Sequence, residues 1–308
     1  MIRLAPSTHL RFNRIQKRLL RWYATHQRSF IWRDLRTTPY VVMVSEFMLQ
    51  QTQAAMIESK LPRFLKRFPT VRSLALAPTG DVIRAWQGLG YNRRALNLQR
   101  AAQALNARGR KPFPNTLEEL MALPGVGAYT ASAILSFSFH YDVPVVDVNI
   151  ERVLSRLWMP MRDTHETIPI PLIKSLDAQI LPRGNSGLWH QALMDLGATI
   201  CTKRNPKCEI CPVLAECKSA KNMIRTRTIA KESLPSKEIL YAGQPRRVWR
   251  GRVLKSIADK KVINLSQILK VLDASSNPSI EAMIQTVLND LATEGFIVRH
   301  GKSTFKLI

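Results

Sequence analysis

Leu123-Pro124-Gly125-Val126-Gly127 separates two helical stretches and predicts a helix, a tight hairpin and a second helix. Upstream, Leu117, Leu120 and Met121 recur at helical spacing, and a run of small residues begins at Ala128. Pro124 ends the first helix, since it lacks an N–H and its ring crowds the preceding turn. Gly125 and Gly127 permit positive φ and carry no Cβ to hold a partner's backbone away. The hairpin therefore offers bare N–H groups at a helix N-terminus, an arrangement that suits an anion such as a phosphate. Alone, the pattern equally fits an ordinary helix–helix connection.

Charge sharpens that reading. The 308-residue chain has a net charge of +24 and a pI near 10.6, which points to a polyanionic partner. Residues 1–235 hold 34 Lys and Arg against 16 Asp and Glu, and residues 236–308 hold 12 against 6, so the charge is not confined to a tail. A hydrophobic content of 45% with 22% charged residues excludes a disordered chain and supplies two or three cores. No apolar run approaches transmembrane length and no signal peptide is recognisable, so the expectation is a soluble, cytoplasmic, DNA-associated protein with no membrane partner.

All four cysteines, Cys201, Cys208, Cys211 and Cys217, lie within seventeen residues, spaced by six, two and five. Disulfides in so short a loop would tie nothing distant. Four thiolates suit tetrahedral zinc or a [4Fe–4S] cluster, and spacing leaves both open. Lys203, Arg204 and Lys207 in the first intercysteine loop are placed to reach phosphates.

In chain order, residues 9–26 read as a basic amphipathic helix with Leu10, Ile15, Leu19, Leu20 and Trp22 on its apolar side. Residues 40–57 read as one helix, apolar nearly all round in its first half, with Glu46 the only charge there. A carboxyl in that setting is paired, pushed toward protonation or at the mouth of a pocket. Gln50, Gln51, Thr52 and Gln53, expected on the same helix, form a cluster of neutral hydrogen-bonding groups able to meet base edges. Further helices are expected over 57–68, 71–77, 81–86 and 93–108. In Gly88-Leu89-Gly90-Tyr91, Leu89 on a tight turn suits a wedge into a base stack, with Tyr91 supporting it.

Val143 to Val146 form an apolar extended approach that delivers Asp147 just ahead of a helix beginning Val148-Asn149-Ile150. Asp147 reads as a helix cap. Capping also fixes a carboxylate, while the apolar setting of Glu46 favours its acid form. Two carboxyl groups pushed apart in this way match acid-assisted glycosidic cleavage.

Over residues 22–220 the chain resembles the endonuclease III superfamily of helix-hairpin-helix DNA glycosylases, most closely the adenine DNA glycosylases of the MutY type. The resemblance rests on Ser45-Glu46-Phe47-Met48-Leu49-Gln50-Gln51-Thr52, Gly88-Leu89-Gly90-Tyr91, Leu123-Pro124-Gly125-Val126-Gly127, Asp147-Val148-Asn149, Met194-Asp195-Leu196-Gly197 and the four cysteines. It implies a mainly α, two-domain fold: a six-helix domain over 29–135, and an iron–sulfur cluster domain built from residues 1–28 and 136–220. It implies that Cys201, Cys208, Cys211 and Cys217 hold a [4Fe–4S] cluster, and that a monomer acts on double-stranded DNA containing a mismatched or damaged base pair. By the same resemblance Glu46 protonates the purine at N7, Asp147 stabilises or traps the sugar cation, and Tyr129 and Asn149 position the sugar and Asp147. Gly125, Val126 and Gly127 meet the DNA backbone, and Gln51, Thr52, Leu89 and Tyr91 probe the opposite strand around the extruded base. Bifunctional relatives carry a lysine where this chain has Tyr129, which forms no Schiff base, so hydrolysis without strong lyase activity is expected.

Two departures stand out. Val148 occupies a position that is usually glycine in adenine glycosylases and is nearer the form of mismatch thymine glycosylases, which leaves a thymine or damaged-pyrimidine glycosylase as an alternative. A non-catalytic iron–sulfur DNA-binding regulator also suits the charge and the cysteines. Second, beyond a basic linker over 221–245, residues 246–308 predict three helices, 248–258, 265–272 and 280–294, and two strands around a His300-Gly301-Lys302 turn. That is a small winged-helix-like α+β domain, too short for the Nudix-like domain of the well-known bacterial enzymes.

Overall fold

The computed structural model describes residues 6–33, 38–161, 168–226, 238–260, 262–275, 277–300 and 304–308. Parts of two expected features, the linker at 221–245 and the turn at 300–302, lie outside the described residues. The chain divides into two compact units. The first comprises Met1–Glu46, Pro112–Ala122 and Val126–Ser233, the second Phe47–Lys111, Leu123–Gly125 and Leu234–Ile308.

In the first unit, α1 (Pro6–His26) lies with α7 (Leu117–Met121), α8 (Ala128–Ser138), α9 (Val148–Trp158), α10 (Ile170–Ile180), α11 (Ser186–Thr199) and α12 (Ala220–Thr226), and α2 (Pro39–Leu49) begins there. α1 buries Phe12, Ile15, Leu19 and Tyr23, a stripe at helical spacing that packs on α9, α10 and α11 around Trp189. Leu10, expected on this apolar side, is instead exposed. The stripe runs through Phe12 and Tyr23, which place it about one residue round the helix from the expected face.

The second unit contains the end of α2, α3 (Ala54–Arg67), α4 (Val71–Ala75), α5 (Thr79–Trp86) and α6 (Arg93–Ala107). Residues 40–57 do not form one helix. α2 stops at Leu49, and Gln51 adopts φ +55° before α3 starts at Ala54. Gln50 to Gln53 thus form a turn. Phe64 meets Trp86 edge to face at 5.9 Å within this core.

The same unit holds β1 (Leu240–Tyr241), β2 (Gln244–Pro245), α13 (Arg246–Asp259), β3 (Ile263–Asn264), α14 (Leu265–Val271), α15 (Pro278–Thr293), β4 (Ile297–His300) and β5 (Thr304–Leu307). β5 is central in an antiparallel sheet of order β3-β5-β4, with Ile263 opposite Phe305 and Arg299 opposite Phe305 on the other side. β3 adds a short strand to the two expected at the C-terminal end. Trp249, Val253, Ile284, Leu288, Phe296 and Phe305 form this core, and Ile83 of α5 and Leu96 of α6 belong to it. Gly80 N donates to Ile308 O at 2.8 Å. A Cβ at Gly80 would come within 3.2 Å of Leu307 Cβ, so glycine permits the close approach.

Candidate active site

Glu46 sits in α2 within the buried run Val42 to Met48 and is 5% exposed. Burial raises its pKa to about 7, since the charged form loses its hydration. A hydrogen bond from Tyr129 and the charge of Arg33 draw it down, while the charge of Asp147 pushes it up. Tyr129, on the first turn of α8, is itself held well above the ordinary phenol range, first by burial and then by the two carboxyl groups. Near neutrality the Glu46 carboxyl is therefore poised between acid and base, with a phenol hydrogen-bonded to it.

Asp147 is the N-cap of α9. Its Oδ1 accepts from Asn149 N at 2.9 Å and from Ile150 N at 2.7 Å, and its Oδ2 accepts from Asn149 Nδ2 at 2.8 Å. The extended segment before it is also tied down. Ser186 Oγ donates to Val143 O, and Val145 N donates to His190 Nε2 at 3.2 Å. Asn149 in turn accepts through Oδ1 from Arg152 Nη2 at 2.8 Å, and Arg152 also donates to Gly197 O and Cys201 O. A Cβ at Gly197 would lie 2.7 Å from Asn149 Cβ, so glycine lets α11 approach this turn. Between Asp147 and Asn149, Val148 projects outward and is 71% exposed.

Sequence reasoning gave no role to Arg28, Arg33, Arg152 or Asp195. The buried Asp195 carboxylate receives Arg33 Nη1 at 2.8 Å and Nη2 at 3.0 Å, Arg28 Nε at 2.7 Å and Arg28 N at 3.0 Å. Burial raises the Asp195 pKa, but Arg33 and Arg28 together outweigh it and hold it below the usual carboxylate range. The available signal was a single acidic residue in the otherwise apolar stretch Ala192 to Ala198. Glu46, Tyr129, Asp147, Asn149, Arg33 and Asp195 all lie in the first unit.

The hairpin forms as expected, with α7 ending at Met121, Gly125 at φ +79° and Gly127 as the N-cap of α8. A Cβ on Gly125 would meet Asn97 Cβ at 2.7 Å and Phe47 Cε1 at 3.0 Å, whereas one on Gly127 would meet nothing within 4 Å. Val126 is buried, so its side chain anchors the hairpin and any contact it offers outward is through its backbone.

In the second unit, Gln51 is exposed at φ +55° and Tyr91 is 61% exposed at φ +45°. Leu89 is 4% exposed and packs inward, contrary to the expected projecting wedge. The flanking glycines, Gly88 at φ +88° and Gly90 at φ +68°, turn the backbone so that Tyr91 is presented instead. Thr52 is partly buried, its hydroxyl accepting from Arg94 Nη2 at 3.0 Å.

Cys201, Cys208, Cys211 and Cys217 line one small cavity of about 30 Å³ together with Arg156, Ile200, Pro206, Leu214, Ala220 and Met223. Burial raises the thiol of Cys211 to about 12 and that of Cys217 to about 11. Arg156 Nη1 donates to Cys201 Sγ at 3.5 Å, and Cys217 Sγ donates to Arg156 O at 3.3 Å. Among the described residues no three cysteine, histidine or acidic side chains are drawn together tightly enough to ligate one ion.

Residues 44–172 match the family described as HhH-GPD superfamily base excision DNA repair protein. The adenine DNA glycosylase of Mycolicibacterium smegmatis is 33% identical over 290 residues, which cover 94% of this chain and 94% of that protein. The chain belongs to the HhH-GPD superfamily, in its MutY-type branch. A second MutY-type relative, the adenine DNA glycosylase of Mycobacterium tuberculosis, is 41% identical over 196 residues. That match covers 63% of this chain and 64% of the relative's length. Among solved structures, a thermostable thymine-DNA glycosylase superposes with a TM-score of 0.64 at 25% identity, covering 70% of this chain and 99% of that one. The MutY-type fold is thus mainly helical, with the small sheet β3-β5-β4 near the C-terminal end.

Proposed function

We propose that the protein is a monofunctional DNA glycosylase of base excision repair that hydrolyses the N-glycosidic bond of adenine mispaired with 8-oxoguanine or guanine. The observation that carries the reading is the contrast between two carboxyl groups of one site. Burial brings Glu46 to a pKa of about 7, whereas Asp147 is only partly buried and has three N–H donors on its oxygens.

In this reading Glu46 delivers a proton to the departing purine. A group with a pKa near the working pH both holds and releases a proton readily. Asp147, fixed by Asn149 and the start of α9, faces the positive charge that develops on the sugar. Tyr129 hydrogen-bonds Glu46 and, having no amine, leaves the strand intact. The reaction needs the base outside the stack. Gly125, Val126 and Gly127 would hold the backbone, and Gln51, Thr52 and Tyr91 would read the opposite strand, with Leu89 supporting the turn from within. The proposed partition is a six-helix domain over 29–135, a cluster domain over 1–28 and 136–220, and a linked module over 246–308.

Cys201, Cys208, Cys211 and Cys217 would hold a [4Fe–4S] cluster. The donor set fits, because four cysteine sulfurs, the ligand set of such a cluster, line one small cavity. When bound, the cluster crosslinks residues 201–217 and steadies Lys203, Arg204 and Lys207 for phosphate contact. Iron analysis and the visible absorption of the purified protein test it.

The test of function is single-turnover base release from duplexes carrying adenine opposite 8-oxoguanine, adenine opposite guanine, and thymine or hydroxyuracil opposite guanine. Release of adenine is expected. Release of pyrimidine alone would overturn the adenine reading and turn attention to the exposed Val148. No release from any duplex would leave a DNA-binding regulator.

A further inference from the structure

Arg94 lies on the first turn of α6 and is 8% exposed, yet among the described residues no carboxylate touches it. Nη1 donates to Phe47 O and Met48 O, both at 2.9 Å, and to Gln50 O. Nη2 donates to Leu89 O at 3.0 Å, Gly90 O at 3.1 Å and Thr52 Oγ1 at 3.0 Å, and Nε donates to Tyr91 O at 3.4 Å. The guanidinium also lies 5.4 Å from the Trp86 ring centre and 5.5 Å from that of Tyr91. Burial lowers its pKa only to about 10, so the cation persists at neutral pH.

These acceptors fall into two sets. Phe47 O and Met48 O are among the carbonyls left open where α2 ends, and Gln50 O follows them. Leu89 O, Gly90 O and Tyr91 O belong to the turn before α6. Gln50 O immediately precedes Gln51, and Gly90 O immediately precedes Tyr91, the exposed residues at φ +55° and +45°. Left-handed backbone at residues with a Cβ persists where its surroundings over-determine it. One planar fork of five N–H donors does so for both turns at once.

We infer that Arg94 is the positioning residue that locks the Gln50–Thr52 and Leu89–Tyr91 turns into a single rigid probe of the duplex. This inference rests on the glycosylase reading and concerns how the target base is extruded. Arg94 contacts no reacting atom. Its effect passes through Gln51 and Tyr91, whose side chains it aims outward. Lysine offers three donors from one point and can serve only part of this acceptor set. Methionine keeps much of the stem and serves none of it.

The test uses the full-length protein and a duplex in which 2-aminopurine replaces the target adenine opposite 8-oxoguanine, since its fluorescence rises on unstacking. At saturating protein, Arg94→Met is expected to lower the fluorescence step at least fivefold and Arg94→Lys to fall between. Affinity for undamaged duplex, which rests on phosphate contacts, should stay within about twofold. Tyr91→Ala added to Arg94→Met should lower the step by less than a further twofold, because the turn is already loose. A full step in Arg94→Met, or an undiminished loss from Tyr91→Ala in that background, would overturn the inference. If far-UV circular dichroism shows Arg94→Met unfolded, Arg94→Lys alone decides by the same step. A wild-type protein that produces no step overturns the glycosylase reading along with the inference, whereas a normal wild-type step unchanged in both variants removes only the role of Arg94.

Discussion

Asn149 grips Asp147 twice, through its backbone N–H to Oδ1 at 2.9 Å and through its side-chain Nδ2 to Oδ2 at 2.8 Å. The second bond sets the plane of the carboxylate, because Oδ1 is already held by the start of α9. Asn149→Ala leaves the cap in place and releases Oδ2. A hydrogen bond to a charged group is worth about 1.5–3 kcal/mol, so base release should slow by about tenfold to a hundredfold. Single-turnover kinetics on the adenine duplex checks this, with the thermal midpoint little changed.

Glu46 links activity and stability to pH. Its folded pKa of about 7 lies above the ordinary glutamate value of 4.5, so the folded state binds the proton more tightly than the unfolded chain does. The associated stability is present in full below about pH 4.5 and is lost as pH rises through about 7, a change on the order of 3 kcal/mol. Glu46→Gln should therefore melt above wild type at pH 8, with the gap closing toward pH 5. Base release by wild type should decline above pH 7, and the variant should release no base while still binding duplex.

Tyr129 pulls the Glu46 pKa down by its hydrogen bond. Tyr129→Phe removes that donor, so the alkaline limb of the rate profile should move to higher pH. A pH–rate profile with its limb unmoved would show that the phenol does not tune the acid. Tyr129→Lys should permit borohydride trapping of a covalent DNA adduct, read on a denaturing gel.

The hairpin glycines separate shape from contact. Gly125→Ala would combine φ +79° with a 2.7 Å approach to Asn97 Cβ, so a loss of about 1–3 kcal/mol of stability is expected. Gly127→Ala meets open space at an ordinary φ of −90°. It should keep its thermal midpoint and lose duplex affinity, measured by fluorescence anisotropy at fixed salt.

Asp195 holds two guanidinium groups on a fully buried carboxylate. Asp195→Asn leaves both cations partnered by a neutral amide, and breaking a buried pair costs about 3–5 kcal/mol. The depressed pKa of Asp195 means its contribution is present above the ordinary carboxylate range and lost as pH falls through the folded value. The melting difference between variant and wild type should therefore narrow in acid.

Local chemistry was legible wherever it was decided within a few residues. Pro124 and Gly125 marked the hairpin, Asp147 marked a cap, and the cysteine spacing marked four thiols that line one cavity. What was hidden depended on distant partners. No glycine or proline stands between Leu49 and Ala54 to mark a break; the carbonyls at the end of α2 are met instead by Arg94, more than forty residues away. Leu89 is apolar between glycines, and sequence does not say whether such a residue turns outward or in. Asp195 lay in a quoted stretch but acquires a role only through Arg28 and Arg33.

The core around Trp249 and Phe305 has a consequence for synthesis. It is completed by Ile83 and Leu96, side chains made some 150 residues before Trp249 emerges from the ribosome. Until the module follows, α5 and α6 display an uncovered oily face, the kind of surface that chaperones hold and that aggregates when they do not. A premature stop within α13 would thus leave every candidate catalytic residue encoded and still deprive Ile83 and Leu96 of the core they join. The module reads as a late-arriving lid on the core of α5 and α6, and nonsense or frameshift lesions near residue 250 should act as folding mutations.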